Sequence, residues 1–230
     1  MAFNWQTFKT RTLTAVVFVI VMLAGLLINR WTFFILFSVI HFGCWWEYLK
    51  LMTAISGKKF LLYSTFGLAY ISLPIVLLIG LRNLYSLDIP GENYDLGKVL
   101  PLTMIFSLWI NDTMAYIVGS LIGKTQMTKI SPKKTWEGTI GGILLSVGVA
   151  ALVSYLVFKS WPETIFIMII AAIASAVGTI GDLLESKLKR MADVKDSGNI
   201  MPGHGGFLDR FDSLLLATPA VWLFVYLLMK

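Results

Sequence analysis

The chain has 230 residues, of which 57% are hydrophobic and 14% are charged, whereas soluble domains carry about 25% charged residues. Together with apolar runs of about 20 residues, this composition excludes an ordinary soluble domain and predicts a single-domain, all-α, polytopic integral membrane protein. The net charge of +6 fits loop lysines that set membrane orientation. Because no soluble basic domain is evident, we expect no nucleic-acid partner.

Seven apolar segments are long enough to be transmembrane helices, and their length argues against barrel strands of about 10 residues. We read the first as a retained helix, because no convincing signal-peptide cleavage site follows it. Cys44, the one cysteine, lies in the second, where we expect core packing. The predicted spans are Leu13–Ile28, Trp31–Met52, Phe60–Leu81, Val99–Ile122, Thr139–Phe158, Glu163–Leu184 and Phe207–Met229.

Loops rich in Lys and Arg alternate with poor ones along the whole chain. The rich segments are the N-terminus and the loops after spans two, four and six. The positive-inside rule therefore predicts a cytoplasmic N-terminus, and it puts both heavily charged loops on the cytoplasmic side. We expect a bacterial-type inner (cytoplasmic) membrane, with residues 1–98 forming anchoring, lipid-side helices and residues 99–230 carrying the chemistry.

The fourth span contains a carboxylate, Asp112, with Tyr116 one turn later on the same helix face. An Asp at the centre of a membrane helix costs about 2.5–3.5 kcal/mol on insertion scales, so such residues tend to be functional. The alternative is a structural Asp bonded to a neighbouring helix. Small residues four apart predict close helix packing, and they are Gly119 with Gly123 and Gly138 with Gly142.

The loop after the fourth span groups hydroxyls and cations in the string ISPKKTWEG. Ser131, Pro132, Thr135 and Glu137 suggest a helix start there, and free N–H groups at a helix N-terminus bind anions. Lys133 and Lys134 add charge, and Ser131 adds a hydroxyl, which together suit a phosphate group. The alternative is a plain positive-inside loop.

The third polar segment runs from Gly181 to Asp212, between two apolar spans. Asp182 begins it on a helix whose same face carries Glu185 or Ser186, and then Lys189. Asp209 and Asp212 share a face at the start of the last span. Carboxylates from two helices are suited to clamp a hard cation such as Mg²⁺. The alternative is a salt-bridged surface loop.

These motifs together resemble those of the phosphatidate cytidylyltransferase family, also called CDP-diacylglycerol synthases. The resemblance covers Asn111 to Ser213, whereas the first half is similar only in being apolar and helical. The matching residues are Asp112–Tyr116 with Gly119, Ser131–Gly138, Ser186, Lys189, Arg190, Lys195, Asp196, Pro202–Gly206, Asp209, Arg210 and Asp212.

The resemblance implies that CTP and phosphatidate react to give CDP-diacylglycerol and pyrophosphate. It implies Mg²⁺, with or without a monovalent cation such as K⁺, held by Asp182 and Asp209, with Asp212 next in line. The expected catalytic residues are these three with Asp112 and Lys134. The expected phosphate-binding residues are Ser131, Lys133 and Lys134 for CTP, and Lys189, Arg190 and Arg210 for lipid or nucleotide. Tyr116 and His204 are also expected to bind substrate, Tyr116 as part of a polar wall with Asp112 and His204 from a mobile rim loop.

Two other functions stay open at this level. One is a related cytidylyltransferase or kinase that acts on another lipid phosphate or a polyprenol. The other is an ion-coupled transporter with Asp112 and Asp182 as an intramembrane relay. The transporter predicts repeat-related broken helices, and the sequence contains no evident internal repeat. A homodimer is compatible with either.

Overall fold

The computed structural model describes residues 5–84, 95–200 and 205–230. That part of the chain is helical, as predicted, and its only β-pairing is an isolated bridge between Gln126 and Thr135. A 3₁₀ turn (Gly57–Lys59) and a π-helical turn (Leu68–Ser72) interrupt the α-helices. The α-helices are α1 Trp5–Leu27, α2 Arg30–Ser56, α3 Phe60–Ser64, α4 Leu73–Leu84, α5 Leu96–Ile122, α6 Trp136–Phe158, α7 Trp161–Met191 and α8 Leu208–Leu228.

Five helical segments of the described chain are long and apolar enough to cross a bilayer, which makes the protein an integral membrane protein. Two shorter apolar helices, Thr12–Leu27 and Leu68–Asn83, accompany them. The five long segments are Arg30–Ser64, Leu96–Ile122, Trp136–Phe158, Trp161–Met191 and Leu208–Leu228.

The predicted third span, Phe60–Leu81, differs from the observed helices. Its first residues, Phe60–Ser64, belong to the apolar segment that starts at Arg30, and the next apolar helix begins at Leu68. The break coincides with a close helix contact, because a Cβ on Gly67 would lie 2.7 Å from the Trp45 ring. Hydropathy averages over such a break, since the residues on both sides of it are apolar.

The core is built around α7 and α8. Half of the span residues of each are buried, against 17% for α6, so α6 lies at the periphery. Phe33 and Phe37 of α2 pack into the same core as Leu214 and Leu215 of α8. Cys44 is fully buried beside them, which confirms its predicted packing role.

Glycines bring the functional helices into close contact. A Cβ on Gly138 would lie 2.9 Å from Gly119 Cα, and one on Gly142 would lie 2.8 Å from Asn111 O. The close packing predicted for these glycines is therefore confirmed between α5 and α6. On α7, a Cβ at Gly181 would lie 2.6 Å from the Asp212 carbonyl oxygen. The tight crossing of α7 and α8 thus brings their acidic residues together.

Candidate active site

Three carboxylates meet where α7 crosses α8. Asp182 and Glu185 of α7 and Asp212 of α8 each offer an oxygen, and these oxygens all lie within 4.8 Å of one another. Glu185 is 0% and Asp212 7% exposed. Lys189 Nζ contacts Glu185 Oε2, whereas Glu185 Oε1 has no hydrogen-bond donor in the described part of the chain. Buried, under-satisfied carboxylate oxygens from two helices fit a hard divalent cation.

Asp209 lies next to this group and has protein donors of its own. Lys189 Nζ donates to its Oδ1 at 2.6 Å. The backbone N–H groups of Ser197 and Gly206 donate to its Oδ2 at 2.9 and 2.8 Å. Lys189 therefore bridges Glu185 and Asp209, and Asp209 joins the end of α7 to the start of α8.

Glu47 of α2 also contacts the connection between α7 and α8 and accepts hydrogen bonds from it. It is only 2% exposed. Ser197 Oγ donates to it at 2.7 Å, and the backbone N–H groups of Phe207 and Leu208 donate at 2.9 Å each. Ser197 Oγ also lies 2.9 Å from Asp209 Oδ2. The hydroxyl of Ser197 thus links the carboxylate of Glu47, in the N-terminal half, to that of Asp209.

The loop between α5 and α6 (residues 123–135), which we call the lysine loop, folds back on itself before α6. Met127 N donates to Lys134 O at 2.9 Å, and Trp136 N donates to Thr125 O at 3.0 Å. Thr135 caps α6 by accepting from Gly138 N at 3.1 Å, which confirms the predicted helix start. Held in this way, Lys134 Nζ donates to Asp182 Oδ2 and joins the loop to the carboxylate group.

Two cavities open on either side of these carboxylates. The first, of about 350 Å³, lies between α5, α7 and the lysine loop, and we call it the lysine cavity. The second, of about 300 Å³, lies between α1, α5 and α8, and we call it the arginine cavity. Asp182 lines the lysine cavity, Asp212 lines the arginine cavity, and Asp112 lines both. Both volumes are in the range of small-ligand sites.

Most of the residues predicted for the site lie around these cavities. Asp112, Tyr116, Ser131, Lys133, Lys134 and Asp182 line the lysine cavity. Asp209, Arg210 and Asp212 line the arginine cavity. The structure does not bring the remaining two described residues into either lining, since Lys189 is engaged with Glu185 and Asp209 and Arg190 is exposed on α7. His204 lies outside the described residues.

Two acidic residues at the site were not assigned from sequence. Glu185 was placed on the face of Asp182 but was given no role toward the metal. Glu47 was missed, although a carboxylate inside a predicted span is the signal that singled out Asp112. Its partner Ser197 is 150 positions away along the chain, a pairing that no local pattern indicates.

Comparison with known proteins places these residues in a family. The model of the cytidylyltransferase family matches residues 70–228. The phosphatidate cytidylyltransferase of Bacillus subtilis (strain 168) is 40% identical over 161 residues, which cover 70% of this chain and 56% of that protein. Chloroplastic phosphatidate cytidylyltransferase 4 of Arabidopsis thaliana is 39% identical over 148 residues, 64% of this chain and 37% of that protein.

A shorter relative matches most of the chain. The phosphatidate cytidylyltransferase of Rickettsia bellii (strain RML369-C) is 35% identical over 218 residues, 92% of this chain and 88% of that protein. By contrast, the chain spans about half or less of the length of the Bacillus and Arabidopsis relatives. The family match covers α4 to α8, including every residue of the two cavities that comes from α5, α7, α8 and the lysine loop. The chain therefore belongs to the cytidylyltransferase family.

Proposed function

We propose that the protein is a phosphatidate cytidylyltransferase, which converts CTP and phosphatidate into CDP-diacylglycerol and pyrophosphate. The observation that carries this proposal is the position of the Asp182–Glu185–Asp212 group between two cavities of different character. One cavity is lined by lysines and hydroxyls, and the other has one polar and one apolar side. A reaction that joins a nucleotide to a lipid phosphate needs one site for each substrate, with charged groups between the two sites.

The lysine cavity is the proposed CTP site. Lys133 and Lys134 supply positive charge, Ser131 supplies a hydroxyl, and α6 begins nearby at Trp136. Charge-assisted donors of this kind bind phosphate oxygens strongly. Lys134 pairs with Asp182 in this structure, and a bound triphosphate offers its ammonium a second anionic partner at the same position. The lysine thus couples nucleotide binding to the carboxylates.

The arginine cavity is the proposed site for the lipid phosphate. Arg210 is exposed to it, and Phe18, Val19 and Trp109 give it an apolar wall. A guanidinium suits a phosphate because its donors form a planar fork. The lipid phosphate would then lie on the opposite side of Asp112 from the CTP phosphates.

Mg²⁺ is the proposed cofactor, with Asp182, Glu185 and Asp212 as the residues that hold it. Bound there, it would neutralise phosphate charge and stabilise the departing pyrophosphate. A lipid phosphate oxygen attacks the α-phosphorus of CTP, the bond to the bridging oxygen breaks, and pyrophosphate leaves with that electron pair. The protein contributes positioning and fixed charge, and no covalent intermediate with the protein is needed.

The proposed topology has seven membrane crossings and a cytoplasmic N-terminus in a bacterial-type cytoplasmic membrane. The five long apolar helices and the two shorter ones give that number. Four crossings precede the lysine loop and six precede the α7–α8 connection. An even number of crossings from a cytoplasmic N-terminus returns each of them to the cytoplasmic side, where CTP is available. Both loops must share a side because both contribute to one group of side chains.

The direct test is a product assay on purified protein in detergent. With CTP, phosphatidate and Mg²⁺ present together, we expect stoichiometric pyrophosphate and CDP-diacylglycerol, identified by mass spectrometry. An Asp182→Asn protein purified in the same way controls for contaminating host enzyme. Product formation from a polyprenol phosphate but not from phosphatidate would replace the proposed substrate. Phosphoryl transfer with CDP release would replace the reaction, and no lipid product at all would overturn the assignment.

A further inference from the structure

A third, apolar cavity lies next to the arginine cavity, between α1, α2 and α8. This third space, of about 460 Å³, shares Thr14, Phe18 and Phe211 with the arginine cavity. Apart from Thr14, the described residues that line it are apolar, and they include Val17 and Val21 of α1. We call it the α1–α2 groove. The two cavities are therefore adjacent, with charged residues lining the arginine cavity and apolar residues lining the groove.

The groove runs along the depth of the membrane helices. Thr14 and Met22, both on its wall, are eight positions apart, which is about 12 Å along a helix axis. Its rim is exposed in the direction of the lipid, since Val17 is 52% and Val39 is 54% exposed. A molecule with its phosphate at Arg210 can therefore extend apolar chains along α1 while remaining in contact with the bilayer.

We propose that the α1–α2 groove binds an acyl chain of the lipid phosphate substrate and delivers its phosphate to Arg210. The inference rests on the proposed function for the identity of the lipid, and the geometry adds where the lipid enters. It gives the N-terminal helices a role in substrate recognition, although the family match begins only at residue 70.

A second apolar cavity of the same size provides an internal control. It also measures about 460 Å³ and lies between α5, α6 and α7, with Val149 and Val153 on its wall. None of the residues that line it lines either the lysine or the arginine cavity. The two apolar cavities therefore match in size and apolar character, but only the α1–α2 groove shares lining residues with the arginine cavity.

The test fills each cavity with a large side chain and varies the length of the lipid. Val17→Trp and Val21→Trp narrow the groove, and Val149→Trp narrows the control cavity. For long-chain phosphatidate, we expect the groove variants to raise the apparent KM by about tenfold. Their KM for CTP and for dihexanoyl phosphatidate should stay near wild type, and Val149→Trp should change none of the three. Equal effects at both chain lengths, or an equal effect of Val149→Trp, would overturn the proposal.

A binding experiment separates this inference from the proposed reaction. Wild-type protein in bilayers is photolysed with a phosphatidate that carries a diazirine midway along one acyl chain, and the cross-linked peptides are mapped. We expect labels on α1 and α2 that excess phosphatidate removes and excess phosphatidylcholine does not. If the protein is labelled in this way but forms no product, the proposed function is refuted and the proposed lipid site is still supported. Labelling elsewhere, or equal competition by both lipids, would refute the site even if the enzyme is active.

Discussion

Three carboxylates lie at close range where two helices cross, and they repel one another although two lysines contact the group. Lys134 pairs with Asp182, and Lys189 pairs with Glu185. Lys189 is also shared with Asp209. A divalent cation relieves this repulsion, since it accepts several oxygens at once. At the scale of single residues, the site is thus arranged around closely spaced carboxylates that suit a divalent cation.

The metal assignment predicts different consequences for neighbouring carboxylates. Asp182→Asn and Asp212→Asn should each lower turnover by about a hundredfold or more, because a major electrostatic contribution is lost. Both should also raise the Mg²⁺ concentration needed for half-maximal activity. Asp209→Asn should lower turnover without changing that Mg²⁺ requirement, because its oxygens accept from Lys189, Ser197 and Gly206.

Mg²⁺ titration of the three purified variants checks this prediction. Near-normal activity of the Asp182 or Asp212 variant at saturating Mg²⁺ would remove that residue from the metal set. A raised Mg²⁺ requirement in the Asp209 variant would instead add Asp209 to the set, as the sequence motif implies.

The lysine loop offers a test with a control a few residues away. Lys133→Ala and Lys134→Ala should raise the apparent KM for CTP by about tenfold and leave that for phosphatidate nearly unchanged, because the proposed partner is the triphosphate. Lys129→Ala removes an equal charge from the same loop, outside the lining of the lysine cavity. It should change neither constant. A raised phosphatidate constant with a normal CTP constant would exchange the substrates of the two cavities.

At the scale of secondary structure, a helix of the first half positions the polar segment of the second half that runs from Gly181 to Asp212. Glu47 of α2 fixes the α7–α8 connection through Ser197 Oγ and two backbone N–H groups. Its carboxylate fills the space beside Gly198 and Gly206, where any Cβ would overlap it. The glycines of the motif are therefore needed partly for the close approach of Glu47.

Glu47→Gln tests that positioning role. Replacing one acceptor oxygen by an amide leaves a buried donor without its partner, at a cost of about 1–3 kcal/mol. We expect a loss of turnover of about tenfold or more and a lower Tm. His41→Gln, on the same helix, disturbs another part-buried contact, with Ser72 at 2.9 Å. It should lower Tm similarly and leave turnover intact. Equal losses of turnover in both variants would show that Glu47 has only a structural role.

How far sequence predicts this fold depends on whether a feature is local. The helices α5 to α8 follow long uninterrupted apolar runs, and a helix start in the loop before α6 follows a local pattern of hydroxyls and Glu137, so both were predicted. The sequence did not single out Thr135 as the N-cap. The break before Leu68 was missed because it follows a packing contact with Trp45. For the same reason, the grouping of Glu185 with Asp212 depends on the α7–α8 crossing. The contact of Glu47 with Ser197 depends on how the first and second halves dock.

At the scale of the whole molecule, every functional claim requires the lysine loop and the α7–α8 connection to face the same side. α6 has 23 residues and α7 has 31, which correspond to about 35 and 46 Å and are sufficient to cross a hydrocarbon core of about 30 Å. Two crossings return the chain from Lys134 to the side on which it pairs with Asp182. Ser160, between these helices, should therefore lie on the opposite face from Lys134 and Asp182.

Single cysteines at Gln126, Ser160 and Val194, introduced into a Cys44→Ala protein that retains activity, test this topology. Cys44 is fully buried, so its removal eliminates background without changing the exposed surface. An impermeant thiol reagent applied to intact cells should label position 160 alone, and inverted membrane vesicles should reverse the pattern. Labelling of 126 and 194 from outside would invert the protein in the membrane, and the CTP site would then face away from the nucleotide pool. Labelling of only one of them would separate the two loops and exclude the shared carboxylate site, because Lys134 and Asp182 could then not meet.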